Sequence, residues 1–139
     1  WLQGIWLPRH GLNFADTPLN AGLAMLPLTV GMFIAGPLSG ILSDRFGARP
    51  FATGGMIGTA TLFGVLELMP IDFSYPVFAV VLFLLGLTMA LFGSPNRAAV
   101  MNALPARHRG AGSGMNSTFQ NSAQVLSIGM FFTLMLVGL

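Results

Sequence analysis

The chain has no cysteine and no lysine, and charged residues of all kinds make up only 7% of its 139 residues. Without cysteine there is no disulfide and no thiolate metal site. With so few charges a soluble domain could not cover its outside, since ordinary soluble chains carry roughly 25%. The six basic residues are all arginine and face four acids. A net charge of +2 is too sparse for a nucleic-acid footprint, so no nucleic acid is expected as a partner. The pI near 10.6 reflects those arginines rather than any basic tract. Catalytic groups are missing too: no nucleophile–base pair, phosphate-cradling loop or paired carboxylates stand at a useful spacing. Neither an enzyme nor a bound cofactor is expected, and His10 and His108 lack metal-ligand spacing.

What the chain has is apolar length. Hydrophobic residues make up 54%, and no charge appears between Gly22 and Leu42. That is about the ~20 residues a helix needs to cross ~30 Å of hydrocarbon. Four such spans are predicted, over about 21–42, 51–69, 76–101 and 113–139. A loop over Pro8–Leu19 precedes the first, with Thr17 or Asn20 offering an N-cap oxygen. Residues 1–7 read as the last turns of a helix. The chain opens on Trp1 rather than Met and closes on the apolar Val137-Gly138-Leu139. It is therefore expected to be one partial transmembrane domain, 1–139, from the interior of a longer multi-pass protein. The predicted fold class is all-α, a polytopic transmembrane helix bundle whose first partner is the lipid bilayer.

Orientation follows from arginine. Arg45 and Arg49 lie between the first two spans, and Arg107 and Arg109 between the last two. Against them, the opposite side has Arg9 beside Asp16, and Asp72 in the turn Pro70–Pro76. The positive-inside rule puts the arginine-bearing loops in the cytoplasm. Tyr75 suits the interfacial belt on the other side. Small residues recur one turn apart at Gly31, Ala35, Gly36 and Gly40, and again at Gly54 and Gly58. Such faces let helix backbones approach where lipid gives no hydrophobic drive between helices. Gly36-Pro37 and Gly93-Ser94-Pro95 are predicted to bend or break their helices, because proline removes a backbone donor and crowds the preceding turn.

The hinge between the first two spans reads Gly40-Ile41-Leu42-Ser43-Asp44-Arg45-Phe46-Gly47-Ala48-Arg49. It resembles the signature loop of the major facilitator superfamily, approximately G-x-L-[AS]-D-R-x-G-R-[KR], with Ala48 where an arginine is common. Gly86–Pro95 followed by Arg107-His108-Arg109-Gly110-Ala111-Gly112-Ser113-Gly114 is similar to the drug:proton antiporter branch, especially its fourteen-helix members. The resemblance covers essentially the whole chain. Leu82 stands where the N-terminal half of such antiporters bears an intramembrane arginine, and the last span lacks their Gly-Pro-rich motif. Both departures point to the C-terminal half, in which case the proton-carrying acid can lie outside this sequence. The resemblance implies a partial major facilitator fold in the bacterial inner or plasma membrane. It also implies proton-coupled export of drugs or small metabolites by alternating access, with a small-molecule substrate, protons and the remaining helices of the same transporter as partners. A non-transporting four-helix scaffold or sensor is the alternative that the signature loop argues against.

Within that resemblance the hinge residues Gly40, Asp44, Arg45, Gly47 and Arg49 form a gating motif. Asp44 is expected just past a helix end, where it can meet the N-terminus of a helix from the other half and hold the cytoplasmic side closed. Arg45 and Arg49 can pair with acids or lipid phosphates, and Gly47 permits a tight turn. The plainer reading is that these charges only fix topology. Arg97 lies roughly 7–8 Å inside the third span's cytoplasmic end, at 1.5 Å per residue. It either snorkels to the surface or forms a buried pair with Asp44 or with an acid elsewhere. Asn116, Gln120 and Gln124 recur every four residues on the last span, and three amides on one face cannot sit cheaply in lipid. They serve interhelical hydrogen bonding or line the pathway. Glu67 is an interfacial acid or, less simply, part of a proton relay.

Overall fold

The computed structural model describes residues 7–9, 11, 16–70 and 73–137, and every regular element among them is helical. The expected helix remnant before Leu7, together with His10, Asn13 and Asp72, lies outside the described residues. After a short turn of helix, α1 (Leu7–Arg9), come α2 (Thr17–Ala24), α3 (Leu26–Phe46), α4 (Ala48–Glu67), α5 (Tyr75–Asn102), a 3₁₀ turn (Ala106–His108) and α6 (Arg109–Val137). The chain forms two compact units, Trp1–Arg97 and Ala98–Leu139.

The first apolar span is two helices rather than one. Pro27 follows the break at Met25, which ends α2 and precedes α3. Proline has no N–H to give the carbonyl four residues back, and its ring crowds that turn. By contrast α3 runs unbroken through Pro37 and α5 through Pro95. Neither helix breaks at these prolines, and the break that does occur is at a proline preceded by Leu26 rather than glycine. At the start of α2, Asp16 occupies the N-cap position and Asn20 donates its side-chain amide to the Asp16 carbonyl at 2.9 Å. Asn20 thus binds a carbonyl and does not cap.

Among the described residues three helical stretches, Pro18–Phe46, Tyr75–Asn102 and Ala106–Val137, are long and apolar enough to cross a membrane. The 20 residues of α4 reach about 30 Å. Its glycines and threonines dilute its apolar character, and they are there because α4 packs tightly against a neighbour.

In the first unit α5 is the common wall. Along α3, Gly31, Ala35 and Ser39 are buried at four-residue spacing. A methyl group on Gly31 would collide with the Phe83 carbonyl oxygen, and one on Gly86 with the Leu28 carbonyl oxygen. Ser39 is fully buried, and its hydroxyl lies 2.9 Å from the Gly36 carbonyl and 3.3 Å from that of Ala90 on α5. The matched positions rise together on both helices, so α3 and α5 run parallel. On α4 the close face is Gly55, Gly58 and Thr59. A methyl on Gly55 would lie 2.7 Å from the Phe92 nitrogen and the Thr88 carbonyl, and the Thr59 and Thr88 hydroxyls are 3.1 Å apart. At Gly54, expected on this face, a methyl group would meet nothing within 4 Å. As α4 residue numbers rise, their α5 partners fall, which makes that pair antiparallel. Small residues let these backbones approach, as membrane helix packing requires.

A compact apolar cluster closes the end of this unit away from residue 47. Leu7, Ala21, Phe73, Phe78, Leu82 and Leu85 are buried there, and the Phe73 and Phe78 rings stack at 4.6 Å. In the second unit a methyl on Gly112 would collide with the Leu104 side chain, folding the turn back on the start of α6. No described residue of α6 is buried.

Candidate functional site

The hinge is built on a single residue. Gly47 separates α3 from α4 with φ +89° and ψ 150°, and its N–H donates to the Ser43 carbonyl at 2.9 Å. This backbone region is essentially closed to any residue with a Cβ. It lies beyond the left-handed helical conformation expected of a tight turn, so the demand for glycine is stricter. Because α3 continues to Phe46, Asp44 sits in its last turn rather than past its end. Gly40 is half-buried beside α5, where a Cβ would come within 3.9 Å of the Ser94 hydroxyl.

Asp44, Arg45 and Arg49 are all exposed. Electrostatically they are unequal. The C-terminal end of a helix carries a partial negative charge and the N-terminal end a partial positive one. Arg45 therefore favours the end of α3, whereas Asp44 opposes it, and Arg49 in the first turn of α4 opposes that helix's start. Arg45 lies over the Phe46 ring, 5.6 Å from its centroid. The Phe46 and Phe51 rings approach to 6.5 Å across the turn. Together these contacts occupy Arg45 locally and leave Asp44 as the hinge group whose own helix does not satisfy it.

Arg97 is exposed on α5, two residues past the buried Pro95. It stands at the same end of the first unit as the hinge, since Ser94 neighbours Gly40. Among the described residues no ion pair joins Arg97 to Asp44. On α6, Asn116 is half-buried and Gln120 and Gln124 are exposed. Among the described residues none of these amides has a hydrogen-bond partner, while Thr118 and Thr133 bond back to their own helix at Gly114 and Gly129.

A cavity of about 990 Å³ lies at the opposite end of the first unit from the hinge. Its wall includes Met25 at the helix break, Phe63 and Glu67 of α4, Phe73, and Phe78 of α5. Glu67 is the last residue of α4 and is exposed. Sequence reasoning missed this cavity because its walls come from three stretches, 18–28, 63–73 and 78–85, that only folding brings together. The available signal was Glu67 itself, an acid closing an apolar helix.

The family model described as Major Facilitator Superfamily matches residues 2–128. The uncharacterized MFS-type transporter YhcA of Bacillus subtilis is 32% identical over 129 residues, covering 92% of this chain and 24% of that protein. The methyl viologen resistance protein SmvA of Salmonella typhimurium is 33% identical over 124 residues, covering 88% of this chain and 24% of that protein. The tetracenomycin C resistance and export protein of Streptomyces glaucescens is 28% identical over 110 residues, covering 78% and 20% respectively. No solved structure matches the chain. The chain spans about a quarter of the length of the first two of these relatives.

Proposed function

This chain belongs to the major facilitator superfamily, and we propose that it is part of a transporter exporting drugs or small metabolites across the bacterial inner or plasma membrane in exchange for protons. The observation that carries the reading is the hinge. Gly40-x-Leu42-x-Asp44-Arg45-x-Gly47 stands where α3 reverses into α4 through one glycine. Two relatives named for resistance to methyl viologen and for tetracenomycin C export favour an exporter among the activities open to the family. Leu82 is buried beside Phe78 and Leu85 in the apolar cluster, a position that carries no intramembrane arginine. This supports assigning the chain to the C-terminal half, with the proton-carrying acid elsewhere in the protein.

Transport proceeds by alternating access between two halves rocking around a central site. Asp44 carries an anion at the unfavourable end of its own helix. A free helix N-terminus from the other half would relieve that cost, so the contact forms when the cytoplasmic side closes. The amides of α6 and the exposed apolar surface of that helix face the remaining helices or the pathway they enclose. Arg97, at the hinge end of α5, snorkels to the cytoplasmic surface.

Asp44→Asn in the full-length protein tests the gate. A helix-dipole contact is worth about 0.3–1 kcal/mol when exposed, and about 1 kcal/mol changes a two-state ratio roughly fivefold. The variant should express normally, favour the inward-facing state and transport more slowly. Thiol accessibility on the cytoplasmic side reads the shift. Unchanged accessibility and unchanged transport would reduce the hinge to a topology marker.

A further inference from the structure

From Ala98 to Leu139, every charged or titratable side chain falls on three consecutive residues, Arg107, His108 and Arg109, and no acid accompanies them. All three are exposed. The turn that carries them is pinned. The Leu104 side chain fills the space a methyl on Gly112 would need, and the His108 N–H donates to the Pro105 carbonyl at 2.9 Å. Arg107 donates its Nε–H to Nε2 of His108 at 3.0 Å. We propose that this triplet binds the phosphodiester headgroup of anionic phospholipids, and binds it more tightly when His108 takes up a proton.

Length and charge identify the occupant. The 29 residues of α6 reach about 43 Å, beyond the ~30 Å of hydrocarbon and close to the ~40–45 Å that includes both headgroup layers. Crossing the bilayer therefore puts its first residue, Arg109, among the headgroups rather than the acyl chains. The dipole of its own helix disfavours a cation there, and this unit supplies no carboxylate to offset the cost. Lipid phosphates are the anions present at that depth. A planar guanidinium fork matches the paired oxygens of a phosphodiester.

His108 sets how much of the site is free. Only an unprotonated ring nitrogen accepts a hydrogen bond, so the bond from Arg107 requires the neutral imidazole. In that state the Nε–H edge of Arg107 is occupied. Protonation removes the acceptor, frees that edge and adds a second cation beside the first. A phosphodiester relieves their repulsion, so it binds the protonated state more tightly. Headgroup affinity therefore falls as pH rises through the range in which histidine loses its charge, about pH 5–8. The charged groups around the imidazole are Arg107 in the 3₁₀ turn and Arg109 at the start of α6. Neither α5 from Ala98 to Asn102 nor the rest of α6 adds another. The site depends on α6 crossing a bilayer and holds whatever the transporter carries.

The test is native mass spectrometry of the full-length protein in neutral detergent, titrated with phosphatidylglycerol and, separately, phosphatidylcholine. Phosphatidylglycerol binding that is lost in Arg107→Gln/Arg109→Gln belongs to the triplet. Its affinity in the parent should rise about fivefold from pH 8 to pH 5.5, the effect of roughly one cation at an anionic surface. Phosphatidylcholine binding should be the same in parent and double variant. His108→Gln keeps an acceptor without a charge and should hold the affinity at its pH 8 level at both pH values. His108→Lys, permanently charged, should hold it near the pH 5.5 level at both. The proposal is overturned if the double variant loses no phosphatidylglycerol, or if the pH effect survives in His108→Gln. Soluble glycerophosphoglycerol at millimolar concentration is the free-headgroup arm. A lipid site keeps its phosphatidylglycerol, whereas displacement would assign the triplet to a soluble phosphodiester and overturn the lipid reading.

Discussion

Gly86 of α5 lies so close to the carbonyl oxygen of Leu28 on α3 that a methyl group there would collide with backbone. Gly31 repeats the relationship in reverse against Phe83, and Gly55 brings α4 onto α5 in the same way. At these three glycines the helices meet backbone to backbone, with no flexible side chain to yield. Ser39, buried between α3 and α5, and the Thr59–Thr88 pair, between α4 and α5, add polar contacts along these seams.

Adjacent glycines on α4 should therefore behave oppositely. Gly55→Ala forces a methyl into the Thr88 and Phe92 backbone and should destabilise by about 1–3 kcal/mol, as overpacking does. Gly86→Ala should do the same. Gly54→Ala meets nothing within 4 Å and gains helix propensity, so it should be neutral or stabilising. Thermal unfolding of the full-length protein in detergent separates the three variants. Equal melting points for Gly54→Ala and Gly55→Ala would refute the packing.

At the hinge the cost is conformational. No atom crowds Gly47, but its φ of +89° strains any residue with a Cβ. Gly47→Ala should cost about 1–3 kcal/mol, and Gly47→Asn should rescue little, because the ψ of 150° lies outside the left-handed helical region that Asn tolerates. Stability of the two variants relative to Gly40→Ala checks this, since a Cβ on Gly40 makes an ordinary contact with Ser94.

The helices were legible in the sequence because lipid imposes one rule on every residue: long apolar runs separated by short turns that carry the charges. The hinge was legible for a different reason, since glycine and charge at fixed spacing mark a turn regardless of what packs around it. What escaped was anything depending on phase around a helix. Gly54 and Gly55 look equivalent in a row of small residues, yet only Gly55 faces α5. Which proline interrupts a helix escaped as well. Pro37 and Pro95 pass within continuous helices while Pro27 follows a break, because neighbours decide whether a freed carbonyl is tolerated. The Glu67 cavity joins residues from Pro18 to Leu85, a grouping that only the folded chain makes.

Topology has a direct readout in a chain without cysteine. The arginine distribution predicts that Arg45, Arg49, Arg107 and Arg109 are cytoplasmic and that Asp16 and Glu67 lie towards the other side. Single substitutions Arg45→Cys and Asp16→Cys should differ in reactivity towards an impermeant thiol reagent added to intact cells. Labelling at 16 and not at 45 is expected, and the reverse pattern would invert the orientation and move the Glu67 cavity to the cytoplasmic side.

The break at Met25 offers the last test, because its cause is a single missing donor. An alanine at position 27 supplies an N–H for the Leu23 carbonyl and removes the ring that crowds the turn. Pro27→Ala should thus join α2 and α3 into one helix across Met25. Amide exchange over residues 25–28, followed by mass spectrometry in nanodiscs, should slow by about tenfold. Pro37→Ala is the control: α3 is already continuous there, so exchange around residue 37 should change far less. Unchanged exchange at 25–28 would mean that tertiary packing of Ala21 in the apolar cluster, rather than Pro27, holds the break.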